Sequence, residues 1–223
     1  DRRLAEKKAT KAAVTKTMKE VPADIFHFTG HAEHDLDNPE KSALALAKDK
    51  ENPENSDRLT LRDLFDLPAP GYNLVYLSAC ETGLTSKTNL IDEFVGLASG
   101  FIATGTRTVV STLWIVDEIS DALLTIEFYR YLKQGTPPVA ALKQAQNWLR
   151  TATYKDMMDW YRDRAAEIET RLSDDPAGKW YGVKQDLESN ARAIERNADK
   201  LESDRPYQHP YYWAGFVVTT SEI

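Results

Sequence analysis

Cysteine is almost absent: the chain of 223 residues contains one, Cys80. A lone thiol closes no internal disulfide, so the fold must rest on its core, and the usage suits a reducing cytosol. Long apolar runs are missing too. None approaches the roughly 18 residues needed to cross a membrane, and the start lacks the basic, apolar and small-residue succession of a secretion signal. Positive charge is in deficit, with 28 Lys and Arg against 35 Asp and Glu and a net charge of −7. Such a chain has no general attraction to nucleic acid or to a membrane surface. No glycine loop of the phosphate-cradling kind occurs, which leaves nucleotide hydrolysis without support. No internal repeat or low-complexity tract is visible. Because the chain opens on Asp1 rather than Met, it is expected to be a piece of a longer protein.

What is present is an apolar fraction of 42%, enough to bury a sizeable core in one domain spanning 1–223. Residues 2–20, rich in Ala, Lys and Glu, predict a helix ending before Pro22. "DIFHFT" (24–29) and "NLVYLS" (73–78) predict buried strands, and "TRTVVSTLW" (106–114) a third. "SALALA" alternates like a short strand, and "LTLRDLFDL" (59–67) predicts a helix with Thr60 as cap and Asp63 at the capping-box position. Helices are expected over 89–104, 117–134 and 138–153, the last two parted by "QGTPP". This alternation argues for an α/β fold, a mostly parallel sheet flanked by helices. Residues 155–205 mix acids and bases over two apolar stripes, one of Met157, Tyr161, Ile168 and Leu172, the other of Trp180, Val183, Leu187, Ala191, Ile194 and Leu201. They predict a helical hairpin inserted before a last strand in "HPYYWAGFVVTT" (209–220).

Ligands of open α/β sheets bind beyond the carboxyl ends of the strands. His31 follows one predicted strand and Cys80 another, with Gly30 and Gly83 permitting tight turns beside them. If the two strands are parallel neighbours, about 4.8 Å apart, a thiol and an imidazole emerge on one rim. A thiolate nucleophile with a histidine base is the chemistry that pair allows. The competing reading is that Cys80 is a small buried hydrophobe. His27, His31 and His34 also invite a metal, but no acid or histidine cluster at ligand spacing accompanies them. His27, inside the apolar run, is expected to be buried and hydrogen-bonded. His209 is read as structural.

"HFTGH", "LTLRDL", "LVYLSACETG", "GLASGFIATGTRTVVSTLWIVD", "FYRYLKQGTPPVAALKQAQNWLR" and "HPYYWAGFVVT" occur in the order found in CHAT domains. The chain therefore resembles that family, which belongs with the caspase and separase cysteine peptidases, from about residue 24 to 220 apart from 155–205. The resemblance implies a caspase-like fold, Cys80 and His31 as catalytic dyad, a protein substrate, no cofactor and no metal. It implies an oxyanion hole made by the backbone N–H groups of Cys80 and Ala32. The family commonly has glycine where Ala32 stands, and alanine tolerates a positive φ poorly. Family members are usually fused to sensor regions such as TPR repeats, and several act in bacterial defence. Asp117 and Trp114 are candidate pocket residues for the substrate, with Asp117 favouring a basic side chain. Asp117 is equally suited to cap the next helix, and Trp114 to pack in the core. Glu81, beside the nucleophile, is a third substrate-side candidate or a loop-holding residue. A partner or upstream sensor sequence is expected to switch such an enzyme on, with the hairpin as candidate docking surface. A catalytically silent interaction module is the alternative.

Overall fold

A computed structural model describes residues 3–33, 35, 37–53, 56–67, 71–81, 95–172, 178–196 and 202–221, with the backbone alone at Cys80, Glu81, Val95 and Lys179. Among the described residues six strands form one sheet. They are β1 (Ile25–Glu33), β2 (Ala43–Ala45), β3 (Arg58–Thr60), β4 (Leu74–Glu81), β5 (Thr108–Thr112) and β6 (Phe216–Thr220), in the order β3-β2-β1-β4-β5-β6. β1, β4 and β5 run parallel, whereas β2, β3 and β6 join antiparallel at the edges. The expected parallel sheet is thus the centre of a mixed one. β2 and β3 are only three residues long, which keeps these antiparallel additions at one edge short.

The helices among the described residues are α1 (Lys11–Glu20), α2 (Leu61–Phe65), α3 (Val95–Ala103), α4 (Glu118–Lys133), α5 (Pro138–Thr151), α6 (Tyr154–Glu169) and α7 (Lys179–Glu195). Strand alternation divides the core between the two faces of the sheet. Val75, Leu77 and Ala79 of β4 pack with Val14 and Met18 of α1, Leu61 and Leu64 of α2, and Phe101 of α3. Leu74 and Tyr76 pack on the other face with Leu124 and Phe128 of α4, Leu142 and Leu149 of α5, and Trp160 of α6.

Local signals account for most helix starts. Thr60 and Asp63 form the anticipated capping box of α2, and Thr153 with Asp156 forms another at α6. The amino-terminal helix is shorter than expected. Thr10 takes the cap position, its side chain accepting from Ala13 N, and residues Glu6–Lys8 make a single 3-10 turn ahead of it.

The hairpin consists of α6 and α7, and its inner stripe differs from the expected one. Met157, Trp160, Tyr161 and Ala165 are the buried residues of α6, while Ile168 and Leu172 are half-buried. Ala191 is the buried position of α7, and Val183 is exposed. Met157, Trp160 and Tyr161 join the main core, so α6 is an integral layer and not a solvated appendage. His34, Gly83, Leu201, the start of the helix expected from residue 89 and most of "SDDPAG" lie outside the described residues.

Candidate active site

The strand order creates one switch point. From β1 the chain proceeds to β2 on one side, and from β4 it proceeds through α3 to β5 on the other. Crevices at such points are where open α/β sheets bind ligands. The parallel register between β1 and β4 pairs His27 with Tyr76, Thr29 with Ser78, and His31 with Cys80. Neighbouring strands lie about 4.8 Å apart. The sequence therefore brings the imidazole-bearing and thiol-bearing positions side by side at the carboxyl end of the central pair.

Both residues were expected just past their strands, and the structure puts them within. β1 continues through His31 and Ala32 to Glu33, and β4 through Cys80 to Glu81. The extension has a cause on the outer side: Ala32 and Glu33 pair with Leu44 and Ala43 of β2. An ion pair between Arg58 of β3 and Glu33, at 2.7 Å, closes the same end. Gly30 fits inside the strand because the ring of Phe28 lies across it, where a Cβ would meet Phe28 Cζ at 2.9 Å. His31 is solvent-exposed and Ala32 is buried. Ala32 is extended: Glu6 is the one non-glycine residue with positive φ among the described residues.

The face carrying His31 is polar to an extent the sequence reading missed. The ring of His27 stacks on Tyr76 with 5.1 Å between centroids. Its Nδ1 lies 2.7 Å from the Tyr129 hydroxyl and its Nε2 2.8 Å from Thr29 Oγ1. His27 keeps an exposed edge, in contrast with its expected burial. Crowding of the ring by its neighbours nonetheless lowers its pKa by desolvation, which the carboxylate of Asp121 opposes. Asp121 Oδ2 accepts a hydrogen bond from Ser78 Oγ. Asp121 Oδ1 accepts from Thr125 Oγ1 at 3.1 Å, and the Thr125 hydroxyl lies 2.9 Å from the Tyr76 hydroxyl. The signal was available: Asp121, Thr125 and Tyr129 recur every fourth residue, a polar stripe beside the buried Leu124 and Phe128 of the same helix.

The CHAT domain family model matches residues 2–221. The chain belongs to the CHAT domain family. No curated protein matches it. Membership assigns this CHAT domain to the caspase-like peptidase group, and its mixed sheet with helices on both faces agrees with a caspase-like fold.

The remaining candidates are placed as follows. Asp117 is the N-cap of α4, its Oδ1 accepting from Ser120 N at 3.0 Å. Trp114 is half-buried, its Nε1 donating to the Tyr211 carbonyl at 3.0 Å, and its ring lies over Gly215, where a Cβ would approach to 3.0 Å. Glu81 pairs with Ala32 through the backbone, and its side chain lies outside the described residues. His209 Nδ1 accepts from Tyr211 N at 3.2 Å and caps a 3-10 turn. On the opposite face of the sheet a small apolar cavity lies among Ala32, Leu44, Leu77, Ala79, Leu97 and Ala98, with Ser111 and Thr112 at its wall. No group of three or more potential metal ligands occurs among the described residues. No described helix is long and apolar enough to cross a membrane.

Proposed function

We propose that this CHAT domain is a cysteine endopeptidase working through a Cys80–His31 dyad. The observation that supports it most is the parallel register pairing His31 with Cys80 at the sheet's switch point, in a chain of this family. Cys80, as thiolate, attacks the scissile carbonyl, and the electron pair moves to the carbonyl oxygen. Collapse of the tetrahedral intermediate expels the amine, which takes a proton from His31 and leaves a thioester. Water, deprotonated by His31, then hydrolyses the thioester and restores the thiol. Backbone N–H groups of Cys80 and Ala32 are the oxyanion donors in this reading. Asp117, Trp114 and Glu81 are the substrate-side residues, with Asp117 favouring a basic side chain before the cut. The substrate is a protein, no cofactor is needed, and a partner or a fused sensor region such as TPR repeats switches the domain on. We place such an enzyme in the cytoplasm, with bacterial defence as its setting.

A comparison of new protein N-termini in cells expressing the full-length protein, its Cys80→Ala variant or its His31→Ala variant tests this. Cleavage should vanish with Cys80→Ala and slow by about 10²–10⁴-fold with His31→Ala. Unchanged cleavage by a folded Cys80→Ala protein overturns the proposal. A second reading, a silent interaction module, is favoured by Ala32. It pairs with Leu44 and Glu81 inside strand β1, without the positive φ that a glycine there would permit. Failure of Cys80 to label with an electrophilic peptide ketone in the activated full-length protein would select that reading.

A further inference from the structure

The end of β4 is held less firmly by the sheet than its middle. The ladder between β4 and β5 runs from Leu74–Thr108 to Tyr76–Val110 and is not continued beyond. Residues 77–81 keep strand pairing to β1 alone. Past the ladder, among the described residues, one side-chain tie from β5 remains, Thr112 Oγ1 donating to the Ala79 carbonyl at 3.0 Å. The second tie comes from above the sheet: Ser78, buried and two positions before Cys80, donates to Asp121 of α4. The same helix stripe reaches β1, where Tyr129 bonds His27 and His27 bonds Thr29, two positions before His31. A neutral side chain would satisfy the Ser78 hydroxyl without bringing a charge against the sheet. A carboxylate acceptor instead makes a charge-assisted bond, shorter and about twice as strong as a neutral one.

We propose that Asp121 is a positioning residue for the dyad: by holding Ser78 it fixes the free-running end of β4, and with it Cys80, in register with His31. The inference rests on the reading of Cys80 and His31 as a dyad. Its chemistry is indirect, since Asp121 acts on the strand and not on a substrate. Thr125, braced against Asp121 and Tyr76, sets the carboxylate's orientation. A carboxamide at this position retains an acceptor oxygen, so hydrogen bonding and charge are separable.

Alkylation by iodoacetamide, read by mass spectrometry of the peptide that carries Cys80, reports on that thiol without a known substrate; Cys80 is the one cysteine in this sequence. The rate is measured from pH 5 to 10 on the full-length protein and on His31→Ala, Ser78→Ala, Asp121→Ala and Asp121→Asn variants, with melting temperature recorded for each. The wild-type profile should show a thiol pKa below the usual value of about 8.5, and His31→Ala should return it there. Ser78→Ala and Asp121→Ala should move it most of the way, slowing labelling near neutrality by about tenfold per unit of pKa, while Asp121→Asn keeps most of the wild-type profile. If His31→Ala changes nothing, the dyad itself falls. If His31→Ala moves the profile but Ser78→Ala and Asp121→Ala only lower the melting temperature, the dyad stands and the positioning role falls. Should Asp121→Ala not fold, Ser78→Ala decides by the same criterion. An Asp121→Asn profile as altered as that of Asp121→Ala also overturns the anchor.

Discussion

Glu127 of α4 accepts a hydrogen bond from the indole Nε1 of Trp160 on α6 at 2.5 Å while the same oxygen meets Arg130 at 2.5 Å. Glu127 is 2% exposed and Trp160 is 6% exposed, so this polar junction joins the inserted hairpin to the core. Removing the carboxylate leaves a buried indole N–H and a half-buried guanidinium without their shared acceptor. Glu127→Ala should therefore cost about 1–3 kcal/mol, read as a lower urea midpoint at unchanged slope. A loss below about 1 kcal/mol would mean that water replaces the carboxylate without penalty. The same junction makes deletion of the hairpin, residues 155–205, unsuited to testing it as a docking surface. Excising them strips Met157, Trp160 and Tyr161 from the core, so docking is better probed by surface substitutions on α7.

His27 makes stability depend on pH with a defined sign. Its folded pKa is lowered, chiefly by desolvation and against the pull of Asp121. In the unfolded chain the same imidazole titrates near 6.5, about its ordinary value. Above that pH both states are neutral and the full stability is present. As pH falls toward the folded value the unfolded chain takes up the proton more readily, and stability is lost. A His27→Phe variant, which keeps the ring stack on Tyr76, should show a smaller drop in melting temperature from pH 7 to pH 5 than the wild type. Equal drops in the two proteins would remove His27 from the account.

Two glycines predict opposite outcomes for the same substitution. In α3 a Cβ on Gly100 would overlap Leu61 Cδ1 and stand 3.8 Å from Leu64 Cδ1 of α2. Gly100→Ala should cost about 1–3 kcal/mol by overpacking. In α7 a Cβ on Gly182 meets nothing within 4 Å. Gly182→Ala should stabilise by about 0.5–1 kcal/mol through helix propensity. Chemical denaturation of the two variants in parallel checks both signs.

The sheet positions of His31 and Cys80 were legible because strand composition and chain order carry them. "DIFHFT" and "NLVYLS" are apolar and β-branched or aromatic, and small residues follow each. Their extension by several residues was not legible, since it depends on β2 pairing back onto Ala32 and Glu33. Of the antiparallel edge strands, β2 lies in the alternating "SALALA" and β6 in "HPYYWAGFVVTT", as expected, whereas β3 escaped because Arg58–Thr60 is too short to carry a period. Trp160 was missing from the α6 stripe because its burial depends on a polar partner, Glu127, that lies 33 residues away. The Asp121 stripe was present in the letters, but polar residues on an inward helix face acquire meaning only when Ser78, Tyr76 and His27 stand opposite.

Asp117 carries two readings that one substitution series separates. Its Oδ1 accepts from Ser120 N, and Ser120 Oγ donates back to the Asp117 carbonyl at 2.9 Å, a local closure of the first turn of α4. Serine at this position can make the same cap, whereas alanine cannot. If capping is what Asp117 contributes, Asp117→Ser should stay near wild type in stability and Asp117→Ala should lose about 1 kcal/mol. A pocket role adds a different dependence, because serine keeps the cap but removes the charge. Asp117→Ser would then leave the melting temperature intact and weaken any preference for Lys or Arg before the cut in the mapped N-termini. Because α4 also carries Asp121, a loosened first turn should reach Ser78 as well, and Asp117→Ala should slow Cys80 alkylation more than Asp117→Ser does. Equal alkylation rates in the two variants would show that the cap and the β4 anchor are independent.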